Sequence, residues 1–149
     1  MKILVLVDGS KWSQKAALHA IAIAKKKNAK VILFSVLDRR EAKAMAFSLG
    51  ARSGKLDEIK NYEDRIWGEM KESINELMRD LLEFCHKEKV NCSMKLVEGI
   101  AKEEILKEAN SGKYSLVVLG AYGKSGKTRI GSLLEEVAGV IKPPMLIVR

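Results

Sequence analysis

The chain has 149 residues and carries 27 Lys and Arg against 19 Asp and Glu, a net charge of +8. That length suits one domain burying roughly two-thirds of its unfolded surface, and no apolar run approaches the ~20 residues of a membrane span. The charge favours anionic partners and leaves the choice among them open.

Lys2 to Val7 is an uninterrupted apolar strand ending in Asp8-Gly9-Ser10. An unalternated run is the pattern of a parallel strand covered on both faces. A carboxylate at the C-terminal end of such a strand lies where open α/β sheets bind ligands, so Asp8 could accept hydrogen bonds from a base or a ribose. Equally, Asp-Gly-Ser is ordinary turn chemistry before a helix, with Ser10 as N-cap. Trp12 to Lys27 follows as a helix with Ala16, Ala17, Ala20, Ile23 and Ala24 on one packed face, ended by Asn28 and Ala29. His19 falls within it and reads as a packing or solvent residue. Lys30 to Val36 is the second strand.

Asp38 to Lys55 mixes charges and small residues, and reads as a partly helical excursion through Glu41 to Leu49 or as a mobile flap. From Leu56 a long amphipathic helix begins, with Ile59, Tyr62, Ile66, Met70, Ile74, Leu77, Leu81 and Cys85 in one stripe. Such a helix spans about 45 Å, more than one domain of this size covers, so either Gly68 bends it or its first half packs on the excursion or on a partner. Val90 to Val97 alternates with period two and reads as a sheet-edge strand. Cys85 and Cys92 fit neither a zinc knuckle nor a CxxC pair and read as two free thiols in a reducing cytosol; the isolated His19 and His86 complete no metal site. Ile100 to Asn110 is a helix stopped by Gly112 as the residue past its cap.

Leu116, Val117, Val118 and Leu119 form another buried-strand run, and Gly120, Gly123, Gly126 and Gly131 follow it. Between the glycines stand Lys124, Lys127 and Arg129 and the hydroxyls of Ser125, Thr128 and Ser132. Glycines let amides approach an anion, the basic side chains add charge, and a helix opening at the Ser132/Glu135 capping box adds its positive end. The segment is a candidate phosphate cradle. Ala121 to Thr128 also matches the loose Walker A pattern, with Lys127 and Thr128 in the nominal phosphate and magnesium roles; only about twenty residues follow, too few for the rest of a P-loop nucleotidase. Pro143-Pro144 breaks the last helix and Met145 to Val148 is a terminal strand.

Gly120, Gly123 and Gly131-Ser132, closed by Pro144-Met-Leu-Ile-Val-Arg149, resemble the C-terminal signature of the universal stress protein family, which runs glycine, two residues, glycine, nine residues, Gly-Ser or Gly-Thr, a helix and a last Pro-x-Leu-Val-Val-Arg strand. The spacing departs in one place: seven residues, Lys124 to Ile130, stand where the family has nine. Two fewer residues shorten the loop's reach by up to about 7 Å. Ala101 stands where the family often has a proline after Gly99.

The resemblance implies an adenine-nucleotide site, with Asp8 near the adenosine and Val36 against the adenine. Gly120, Gly123, Gly131 and Ser132 would hold the phosphates, and Leu119, Lys124, Ser125, Gly126 and Lys127 would complete the nucleotide site. ATP is the expected ligand, with ADP or AMP as alternatives and magnesium as the accompanying ion. The family's last strand pairs across a two-fold axis, which implies a homodimer through residues 144–148.

Together these readings predict an α/β fold: an open, doubly wound, five-stranded, mostly parallel sheet with helices on both faces and no division into domains. The expected role is that of a cytoplasmic, ATP-binding stress-response or regulatory module. Its rival is a dimeric interaction protein of the same fold without nucleotide affinity. No paired carboxylates or nucleophile and base flank the glycine loop, so at most slow ATP hydrolysis is expected. No membrane contact is expected. Nucleic acid is disfavoured, because no aromatics interleave with the basic runs.

Overall fold

The computed structural model describes residues 1–122 and 136–149. In chain order the elements are β1 (Lys2–Leu6), α1 (Lys11–Lys27), β2 (Lys30–Leu37), α2 (Arg39–Ser53), a single 3-10 turn (Leu56–Glu58), α3 (Ile59–Lys87), β3 (Asn91–Glu98), α4 (Ala101–Ala109), β4 (Leu116–Gly120) and β5 (Met145–Val148). The five strands form one sheet in the order β3-β2-β1-β4-β5, and every pairing is parallel. The order reverses between β1 and β4, which makes that pair the switch point of the sheet.

Strand alternation divides the core in two. Ile3, Val5, Leu33 and Val118 face α1 and α3, while Leu4, Phe34, Val117 and Leu119 face α4 together with Val137 and Ile141. Helices thus cover both faces, as the unalternated runs of β1 and β4 require. β3 pairs only with β2 and is a sheet edge, as its period-two pattern predicts.

Local signals set the ends of α1. The Ser13 N–H donates to Ser10 Oγ at 3.1 Å, making Ser10 the N-cap, and Asn28 closes the helix in the left-handed conformation at φ +53°. Gly112 (φ +87°) lies one residue beyond its predicted place, because α4 ends at Ala109 with Asn110 as its cap.

The excursion after β2 is a regular helix. Asp38 caps α2 by accepting from the Arg40 N–H at 2.9 Å, and Ala42, Ala46 and Gly50 are its buried stripe. α3 runs unbroken through Gly68 for 29 residues, and α2 covers its first half. The two are joined at the Gly50 end, where a Cβ would come within 2.6 Å of Ile59, and at the Arg39 end, where the guanidinium donates to Glu63 at 2.9 Å and Asp64 at 2.8 Å. Of the alternatives for the overlong helix, packing on the excursion is the one realised.

Cys85 and Cys92 are joined in a disulfide, their Cα atoms 6.3 Å apart. The expectation of two free thiols is corrected. The turn from α3 into β3 folds the helix end back over the strand start, a juxtaposition that sequence spacing does not express. Cysteine usage therefore carries no argument for a reducing compartment.

Candidate functional site

The C-terminal ends of β1 and β2 open into a cavity of about 670 Å³ beside the switch point. This is within the usual size range of small-molecule sites. Its floor is apolar, from Leu6, Phe34, Val36 and Ile105; α3 contributes Met70 and Ile74. Charged residues ring the rest: Asp8 after β1, Asp38 after β2, Arg40 and Glu41 on α2, Lys102 on α4, and Glu136.

Asp8 is placed by backbone chemistry. The ladder continues one residue past β1, where the Val7 N–H donates to the Phe34 carbonyl at 2.8 Å. Gly9 then turns the chain at φ +88°, a conformation few other residues adopt. The Ser10 N–H donates to Asp8 Oδ1 at 2.9 Å, and the Asp8 N–H donates to Ser13 Oγ at 3.2 Å. One carboxylate oxygen thus serves the turn, and the residue also lines the cavity. Ser10 is buried as a cap.

Val36 joins Asp8 in the same cavity wall. Leu119 is fully buried in the core and does not line it. Gly120 ends β4 against α1, where a Cβ would stand 2.7 Å from the carbonyl carbon of Trp12. The other expected nucleotide-site residues, Gly123, Lys124, Ser125, Gly126, Lys127, Gly131 and Ser132, lie outside the described residues. So do the Walker A reading and the Ser132/Glu135 capping box. Among the described residues no group of three or more His, Cys, Asp or Glu is arranged to hold a metal ion.

Several lining residues were missed from sequence: Arg40, Glu41 and Ala44 on α2, Met70 and Ile74 on α3, and Ile100 to Lys102 at the start of α4. A signal for α2 was available. Asp38 followed three residues later by Glu41 has capping-box spacing, and Ala42, Ala46 and Gly50 recur every fourth residue. No helix among the described residues is long and apolar enough to cross a membrane.

A parallel sheet with an apolar cavity, rimmed by charge, beside its switch point places this chain among the open α/β folds, whose ligand sites lie at such switch points. The chain belongs to the universal stress protein family, which it matches over residues 1–149. Among its relatives, universal stress protein YxiE of Bacillus subtilis is 31% identical over 150 residues, covering 99% of this chain and 98% of that protein. Universal stress protein MJ0577 of Methanocaldococcus jannaschii is 30% identical over 159 residues, covering 99% and 94%. The solved structure of MJ0577 superposes with a TM-score of 0.77 at 26% identity, covering 99% of this chain and 94% of that one. The same fold recurs in a universal stress protein in complex with cAMP (TM-score 0.66, 23% identity, covering 100% and 97%) and in an Arabidopsis thaliana family member with AMP bound (TM-score 0.60, 14% identity, covering 99% and 90%).

Proposed function

We propose that the cavity binds an adenine nucleotide and that the protein is a nucleotide-responsive stress or regulatory module of the cytoplasm. The observation that carries this is the meeting of Asp8 and Val36, 28 positions apart, in one apolar cavity at the ends of neighbouring strands. An apolar lining suits a purine, and a carboxylate at the rim suits ribose hydroxyls or an exocyclic amine. The AMP and cAMP complexes of family members support the ligand class. ATP is the form proposed here, with its phosphates on the glycine segment and magnesium as the accompanying ion; that part of the reading rests on sequence.

The second reading, a dimeric interaction protein without nucleotide affinity, is favoured by one observation. β5 closes the sheet at an edge and leaves Ile147 43% exposed, which suits pairing with a second copy. Dimerisation through residues 144–148 is compatible with both readings; nucleotide affinity separates them.

The test is calorimetric titration with ATP, ADP, AMP and cAMP in magnesium buffer, repeated with Asp8→Ala. Micromolar binding weakened about 10- to 100-fold by the alanine is expected, the worth of one hydrogen bond to a charged group. Absence of heat with all four ligands would leave the interaction reading standing.

A further inference from the structure

Because all pairings are parallel, every strand begins at one end of the sheet, and the helices that lead directly into strands finish there. The nucleotide cavity is at the opposite end. Lysines gather at the strand-start end. α1 finishes on Lys25, Lys26 and Lys27, all exposed. α3 finishes on Lys87, and Lys89 follows it, both also exposed. Lys2 and Lys30 open β1 and β2 as in-register neighbours. Lys113 and Lys142 stand in the connections into β4 and β5.

The carboxylates near this end are already engaged. Glu88 pairs with Lys25 at 2.6 Å, Glu83 with Lys87 at 3.7 Å, and Glu108 is buried against Lys95 and Tyr114. The cavity end carries both signs, with Asp8, Asp38, Glu41 and Glu136 beside Arg40 and Lys102.

The helix macrodipole accounts for lysines in a last turn. It does not account for Lys2, Lys30, Lys89, Lys113 and Lys142, which stand on strands and connections. Lys2 and Lys30 place like charges on neighbouring strands about 4.8 Å apart, a modest repulsion that a polyanion lying against them would relieve.

We propose that the strand-start end of the sheet is a docking surface for the phosphate backbone of duplex nucleic acid, without base readout. Lysines act as flexible point charges that neutralise phosphates and release counterions. The lack of aromatics among the basic runs argues against stacking on single strands, whereas backbone contact with a duplex needs none. Five strands span roughly 20 Å, over which a duplex presents about a dozen charges, enough for half a dozen lysines. The helices meet this surface end-on, unlike interfacial helices, which lie flat with an apolar face in the bilayer. That geometry favours a duplex over an anionic membrane.

The experiment is fluorescence anisotropy of a labelled duplex of roughly 24 base pairs and arbitrary sequence, from about 50 to 200 mM salt. With six phosphate contacts, affinity should fall about 1,000-fold over that range, a log–log slope near −5. The triple variant Lys26→Gln/Lys27→Gln/Lys89→Gln should bind at least about 10-fold more weakly at the lowest salt and flatten the slope by about 2 to 3. Lys43→Gln/Lys55→Gln, on the α2 side, should bind as the wild type does, and circular dichroism would verify that each variant is folded. No binding at low salt would overturn the proposal, as would equal losses in the two variants. Binding to phosphatidylserine vesicles but not to the duplex would overturn it in favour of a membrane.

Discussion

Trp12 occupies the space that a side chain on Gly120 would fill: a Cβ there would lie 2.7 Å from its carbonyl carbon, 2.8 Å from its Cβ and 2.9 Å from its carbonyl oxygen. Close approach of β4 to the first turn of α1 is thus possible only with glycine. The contact continues outward, where the Trp12 ring meets Tyr122 edge to face at 5.0 Å. Gly120→Ala must displace backbone rather than a flexible side-chain tip. The expected loss is about 1–3 kcal/mol of stability in a urea titration. An unchanged midpoint would mean that α1 moves aside without cost.

Arg39 fastens the cavity's α2 wall. Its guanidinium bonds Glu63 and Asp64 and lies 5.5 Å from the centre of the Trp67 ring, all on α3. The hydrogen bond from Arg39 is the chief reason that the Glu63 carboxyl is held below its ordinary range. With Arg39→Ala, amides of α2 should exchange at least about 10-fold faster while those of β1 and β4 keep their protection. Uniform change across the protein would place Arg39 in global stability instead.

Glu108 predicts a pH dependence. Burial alone would raise its carboxyl pKa, but hydrogen bonds from Lys95 Nζ and Tyr114 Oη outweigh burial and leave it lowered. A carboxyl lowered on folding stabilises fully above its unfolded value, and that share is lost as pH falls through the folded value. Urea midpoints of the wild type should therefore drop more between about pH 5 and pH 3 than those of Glu108→Gln. At neutral pH, Glu108→Ala should cost about 1–3 kcal/mol, since it strips the half-buried Tyr114 hydroxyl of its partner.

The Cys85–Cys92 bridge closes a short loop, with a sequence separation of 7. Loop entropy for that length gives about 2.5 kcal/mol, or roughly 5–10 °C in Tm for a domain of this size. Melting with and without dithiothreitol checks the figure, and alkylation without reductant should label neither cysteine. Because the bridge sits at the strand-start end, far from the cavity, reduction should leave nucleotide titrations unchanged.

Much of this protein is local in origin, and that part was legible in the sequence. The apolar runs of β1 and β4, the Ser10 cap, the Asn28 terminus and the period-two edge strand β3 each follow from the conformational and solvation preferences of contiguous residues, and together they define the parallel α/β class. Asp8 was identifiable as a candidate site residue because of where its strand ends, and Val36 only through the family resemblance. What tertiary structure decided is what depends on strand order and on helices folding back. The order β3-β2-β1-β4-β5 sets Asp8 beside Val36 and near the start of α4. Packing turns the ambiguous stretch after Asp38 into a cavity wall, because small residues at every fourth position become a helix face only when α3 covers them. Pairing of Cys85 with Cys92, and the gathering of scattered lysines at one end of the sheet, likewise arise only when parallel strands bring all their starts together. Periodicity reports what one segment does with its own residues; which segments then face one another is settled by the packing of the whole core.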